Sequence, residues 1–128
     1  MERVFEDSVT AREFLRHAEG FFADAEATGL NAPSRAVLLH QAAVSACDAI
    51  LQSAGLRVTS GDGSHVLRIE VALEQIEGNT EELLERLDAS RVRRNEASHQ
   101  PGFAAEASVA EARDATGELM ELARGLVR

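Results

Sequence analysis

The chain has 128 residues, 45% of them apolar, and a formal net charge of −9. That length suits one domain over residues 1–128, able to bury roughly two thirds of its unfolded surface without disulfide or metal staples. An acidic chain is repelled by nucleic acid and anionic membranes at long range, so any nucleic-acid function must rest on a local basic cluster.

The N-terminus, "MERVFEDSVT", carries no apolar signal core. The spacing predicts a first helix from about Ser8 to Ala27, with Thr10 and Glu13 at capping-box separation. Phe14, Leu15, Ala18, Phe21, Phe22 and Ala25 fall on one apolar stripe of helical period. "TGLNAP" ends that helix, and Pro33 suits the first turn of the next.

The second helix is predicted from about Pro33 to Ala54. It is apolar on most sides, through Val37, Leu38, Ala42, Ala43, Ala46, Cys47, Ile50 and Leu51. Such a helix belongs at the centre of a bundle or at an oligomer interface. His40, Gln41 and Asp48 interrupt it, so it is no membrane span. Cys47 is the only cysteine, which rules out an internal disulfide and a thiolate zinc site and fits a reducing cytosol. Among alanines, it reads as a small buried hydrophobe.

"GLRVTSGDGS" is the longest connection. A third helix is expected from near Ser64 to Gly78, with Val66, Ile69, Leu73 and Ile76 as its buried stripe. Asn79 and Glu82 have capping-box spacing for a fourth, with Leu83, Leu84 and Leu87 inward. The fifth starts near Ala105 and turns Val109, Ala112, Ala115, Leu119, Leu122 and Leu126 inward. Its other face is acidic, with Glu106, Glu111, Asp114, Glu118 and Glu121, and reads as solvated surface. The expected fold is all-α, an antiparallel four- to five-helix bundle.

The chemistry concentrates at "RVRRNEASHQP", residues 91–101. All 13 basic residues are arginine, a bias of GC-rich genomes, so arginine alone is weak evidence. The Arg-x4-His spacing also occurs at Arg12–His17 and Arg35–His40, where roughly 0.4 such pairs would arise by chance. Three features set the last pair apart. Arg94 follows Leu87 by seven residues and Leu83 by eleven, which puts it on the inward line of its helix. A guanidinium there must be paired or line a cleft. Asn95 supplies an adjacent amide, and Pro101 turns the chain out of helix just after His99. On a continuous helix positions 94 and 99 point about 140° apart, so they converge only at a helix end or across two subunits.

Arginine offers phosphate a permanent donor fork, and histidine exchanges protons near neutrality. Together they can hold an RNA phosphate and deprotonate the adjacent 2′-hydroxyl, with no metal or other cofactor. Arg91 and Arg93 would add attraction. The competing reading leaves Arg91 and Arg93 solvated at a helix C-terminus and Arg94 paired with an acid of another helix.

"RRNEASH" resembles the Arg-Asn-x3-His signature of HEPN domains, and "AVSACDAILQSAGLRVTSGDGSH" is similar to their second helix and following loop. The resemblance covers about residues 8–126. It implies a bundle that dimerises and brings two motifs into a shared cleft. It further implies a metal-independent endoribonuclease of the toxin or defence type, with a nucleotidyltransferase antitoxin as partner, or an RNA-binding member that does not cut. His99 would then be the general base or acid, Arg94 would hold the scissile phosphate, and Asn95 would orient the motif. A polar residue of the second helix would support the site, here Asp48. Many toxin members continue His-x-Tyr, the tyrosine being the partner's target. This chain reads "HQP" and has no tyrosine, which excludes that modification. The alternatives are a non-catalytic interaction or nucleotide-binding module and a purely structural helical protein.

"SGDGSH" at 60–65 reads as a capping loop. His17, His40 and His65 lie on separate helices without metal spacing and read as structural or solvated. Glu81, Glu82 and Glu85 suit the N-terminal dipole of the fourth helix.

Overall fold

The computed structural model describes residues 1–27, 29–57, 65–99 and 106–127, and at 65, 66 and 92–99 it describes the backbone alone. These residues form an all-α bundle of five helices: α1 (Ser8–Ala25), α2 (Ala32–Ser53), α3 (His65–Glu74), α4 (Glu81–His99) and α5 (Glu106–Leu126).

Local chemistry sets the helix ends. Asp7, rather than Thr10, caps α1: its Oδ1 accepts the N–H groups of Val9 and Thr10 at 3.0 and 3.1 Å. The Thr10 hydroxyl, expected to cap, instead donates to Asp7 Oδ2 at 2.7 Å. These bonds favour the ionised carboxylate, and the Thr10 hydroxyl leads in holding Asp7 below the usual carboxylate range. Asn31 caps α2 by accepting the Ser34 N–H at 2.9 Å, and Pro33 lies in the first turn, where no N–H is needed. Asn79 accepts the Glu81 N–H at 3.0 Å at the start of α4. The third helix stops at Glu74, earlier than its apolar stripe suggested. Gly78 then takes a φ of +99°, open to glycine at little cost.

The low aromatic content explains the packing. Alanines line the seams, and Ala11, Ala18, Ala42, Ala46, Ala49, Ala72, Ala115 and Ala123 are each fully buried. Small side chains bring helix axes close, and α2 packs on all four other helices. Its apolar character all round is thereby accounted for from Leu39 to Leu51. Val37, near its N-terminal end, remains 40% exposed. Leu119 and Met120 of α5 meet Ile50, Leu51, Ile69, Leu73, Leu83 and Leu87 in the main core. A second cluster joins Ala25, Ala32, Leu39, Val109 and Ala112 at the end where α2 and α5 begin.

Ion pairs between helices report their directions. Arg35 at the start of α2 donates through Nε to the Ala25 carbonyl at the end of α1, so these two helices run antiparallel. The same guanidinium pairs with Glu106 at the start of α5, at 2.8 Å. Arg124 of α5 pairs with Glu19 of α1, and Arg113 with Glu26, the residue that caps the end of α1, in antiparallel register. Arg113 also lies 5.8 Å from the Phe22 ring centroid, in cation–π range. Arg86 pairs with Glu118 at 2.5 Å, tying α4 to α5. Of the five acidic residues on α5, Glu106, Glu118 and Glu121 therefore hold arginines and are more than solvated surface. Each exposed pair is worth about 0–1 kcal/mol, so the pairs fix register more than they stabilise.

One feature has no counterpart in the sequence pattern. Glu2–Arg3 (β1) pairs antiparallel with Leu56–Arg57 (β2), and Arg57 bonds Glu2 at 2.8 Å. Two residues per strand are too few to show alternation. Gly55 makes the turn into β2 with φ +72°, and a Cβ there would stand 2.8 Å from the Val4 carbonyl oxygen. No described helix is long and apolar enough to cross a membrane.

Candidate functional site

The expected site residues Arg91, Arg93, Arg94, Asn95 and His99 all fall on α4, which runs as one helix from Glu81 to His99. The side chains of Arg93, Arg94, Asn95 and His99 lie outside the described residues. Their backbone positions follow from the helix. Leu83 and Leu87 are buried against the core, and position 94 continues that line two turns beyond Leu87. Because the helix is unbroken, positions 94 and 99 stand about 140° apart around its axis.

Arg91 is described. Its Nε donates to Asp88 Oδ1 at 3.1 Å, one turn back on the same helix, and its side chain is about one-quarter exposed. Arg91 thus has a local carboxylate and still reaches solvent.

Among the described residues, Asp48 of α2 meets α3. Its Oδ1 is 3.1 Å from Arg68 Nε of α3, and both side chains are about one-fifth exposed. That Nε–H is buried without a well-directed acceptor, so the contact is an ion pair rather than a good hydrogen bond. Burial pushes the Asp48 carboxyl above its usual range, and Arg68 pulls it partly back. The pair lines a pocket of about 170 Å³ with Phe14, Leu51, Gln52, Leu56 and Arg57. Among the described residues, α4 contributes nothing to that pocket. Next to Asp48, burial raises the Cys47 thiol far above its ordinary value, and the Asp48 charge adds to this, which leaves an inert thiol.

The side of α2 that does meet α4 carries His40. A cavity of about 30 Å³, room for about two waters, is walled by Ala36, Leu39, His40 and Ala43 of α2. Leu87 and Ser90 of α4 and Ser108 and Thr116 of α5 complete its polar and inner walls. Ser90 donates its hydroxyl to the Arg86 carbonyl at 3.0 Å, which leaves its lone pairs toward other partners. Thr116 is 2% exposed and lines the cavity. It is the one polar side chain among the fully buried described residues.

Sequence reasoning missed this cavity. Two signals were present: Thr116 falls on the inward line of α5 between Ala112 and Leu119, and His40 breaks the apolar face of α2. The Arg35–His40 spacing was a false lead, because Arg35 is engaged by Ala25 and Glu106. His17 is exposed on α1. Groups of three or more His, Cys, Asp or Glu able to hold a metal are absent among the described residues. Comparison of the chain with family profiles, with curated proteins and with solved structures gave no match.

Proposed function

We propose that this chain is a HEPN-type RNA-binding protein that acts as a homodimer and cuts RNA without a metal. In this reading Arg94 of one copy and His99 of the other face a common cleft. Arg94 holds the scissile phosphate through its donor fork. His99 takes the 2′-hydroxyl proton, and the resulting oxygen attacks phosphorus. Asn95 braces the motif, and Arg91 and Arg93 attract the backbone.

The observation that carries the reading is the unbroken course of α4 through His99. It separates positions 94 and 99 by about 140° on one helix, so a shared site calls for a twofold mate. Arg35, Arg57, Arg68, Arg86, Arg113 and Arg124 each have a carboxylate partner within the fold, and so has Arg91 of the motif, through Asp88. The "RVRR" run is the densest basic stretch of an otherwise acidic chain.

The test combines light scattering with RNA cleavage by purified protein in excess chelator. A dimer that cuts, and that loses cleavage in His99→Ala, is expected. A strict monomer, cleavage that chelator abolishes, or cleavage unchanged in His99→Ala overturns the mechanism. Salt-dependent RNA binding without cleavage would favour the non-catalytic module instead.

A further inference from the structure

The pocket beside Asp48 and Arg68 draws its walls from four elements. Phe14 comes from α1, Asp48 and Leu51 from α2, Leu56 from β2 and Arg68 from α3. Its volume of about 170 Å³ gives room for roughly a dozen water-sized groups, about the size of a purine. Phe14, Leu51 and Leu56 are apolar and suit the faces of a flat ring. Set among them, the Asp48 carboxylate and the Arg68 guanidinium stand side by side at 3.1 Å, each about one-fifth exposed. Arg57 on the rim is held by Glu2 at 2.8 Å and is assigned no part.

An ion pair shielded to this extent repays its lost hydration only when its geometry is good. Here Arg68 Nε is buried without a hydrogen bond. The contact joins one nitrogen to one oxygen, whereas a guanidinium carries several N–H donors and a carboxylate several acceptor positions. The two groups can therefore engage a further molecule without parting.

An acceptor with room for two donors, next to a donor fork, is the complement of one base edge. Guanine sets a carbonyl beside two N–H groups. Adenine and cytosine set a ring-nitrogen lone pair beside their amino group, and uracil flanks its N–H with carbonyls. Each of those three would turn a lone pair toward the carboxylate. We propose that this pocket binds a guanine base, whose N1–H and N2–H donate to Asp48 and whose O6 accepts from Arg68, between the apolar side chains of Phe14, Leu51 and Leu56. The assignment is independent of cleavage, because a free guanine nucleotide and a guanosine in an RNA strand present the same edge.

Titration calorimetry of the full chain with the 5′-monophosphates of guanosine, adenosine, cytidine and uridine reads the preference. The guanosine nucleotide is expected to bind about tenfold or more tighter than the others. Inosine 5′-monophosphate, which lacks the 2-amino group, should lose about fivefold. Asp48→Asn presents an amide N–H where the carboxylate accepted. It should lose the guanosine nucleotide and gain xanthosine 5′-monophosphate, which has a carbonyl in place of the 2-amino group. A merely structural role of Asp48 would not produce that exchange, and melting curves confirm that the variant folds. Short 2′-O-methyl RNAs, which resist cleavage, carry a single central guanosine or adenosine as a second arm. Tighter binding of the guanosine strand than of the free nucleotide makes the occupant a base of RNA, and equal binding makes it a nucleotide. No binding in either arm, equal affinity for guanine and adenine in both, or an Asp48→Asn protein of unchanged preference overturns the assignment. Each of these results leaves the reading of positions 94 and 99 as it stands.

Discussion

Replacing Thr116 by valine asks directly whether the cavity is a polar site held within the core. Valine keeps the branched shape and exchanges the hydroxyl for a methyl group. Thr116 is 2% exposed and lines the cavity. A buried hydroxyl without a partner costs about 1–3 kcal/mol on protein scales. Water in a space of about 30 Å³ recovers part of that cost. The net gain expected for Thr116→Val is therefore about 1 kcal/mol. Unfolding entropy of about 2.1 cal/mol/K per residue gives roughly 270 cal/mol/K for the chain, so Tm should rise by about 4 °C. Scanning calorimetry at neutral pH, with urea unfolding as a second measure, reads this change. Destabilisation by more than about 1 kcal/mol would refute the reasoning, because it would mean that the hydroxyl already had a good partner.

Three further outcomes follow from the fold. Leu119→Ala, at a fully buried position in the main core, should cost about 3 kcal/mol by urea unfolding, whereas Val37→Ala at an exposed position should cost under about 0.5 kcal/mol. Gly55→Ala places a side chain at φ +72° and 2.8 Å from the Val4 carbonyl oxygen. It should destabilise by more than about 1 kcal/mol and speed amide exchange in residues 2–4. Asp48 gives a pH prediction. Its carboxyl is raised by burial, so the folded chain holds this proton more tightly than the unfolded one. Its contribution to stability should then rise as pH falls from neutral through the folded value toward the ordinary carboxylate range. The difference in unfolding free energy between wild type and Asp48→Asn should grow in that direction. A difference that shrinks on acidification would mean that the Arg68 ion pair outweighs desolvation.

Helix-period patterning made the bundle legible. The apolar positions of α1, α2 and α5 recur at a spacing only a helix satisfies, and the expected starts fall close to the observed ones. Elements that depend on partners distant in sequence were not legible. The β1–β2 ribbon is two residues per strand, and its register comes from tertiary proximity. Capping was half legible: Asp7 and Thr10 are both good caps, and Asp7 prevails because its carboxylate accepts two N–H groups and the Thr10 hydroxyl at once.

The site divides in the same way. The arginine motif is visible because its residues are consecutive on one helix. The cavity is not, because His40, Ser90, Ser108 and Thr116 come together only through the packing of α2, α4 and α5. Asp48 stood out as the acidic residue of α2, and among the described residues it meets Arg68 of α3, while His40 lines the cavity beside α4.

The most direct measurement mixes two inactive variants, Arg94→Ala and His99→Ala, under conditions that let subunits exchange. If each site takes its guanidinium from one copy and its imidazole from the other, half of the dimers regain one intact site of two. The mixture should then recover about a quarter of wild-type cleavage. A mixture that stays inactive while mass measurement confirms heterodimers would contradict the shared cleft.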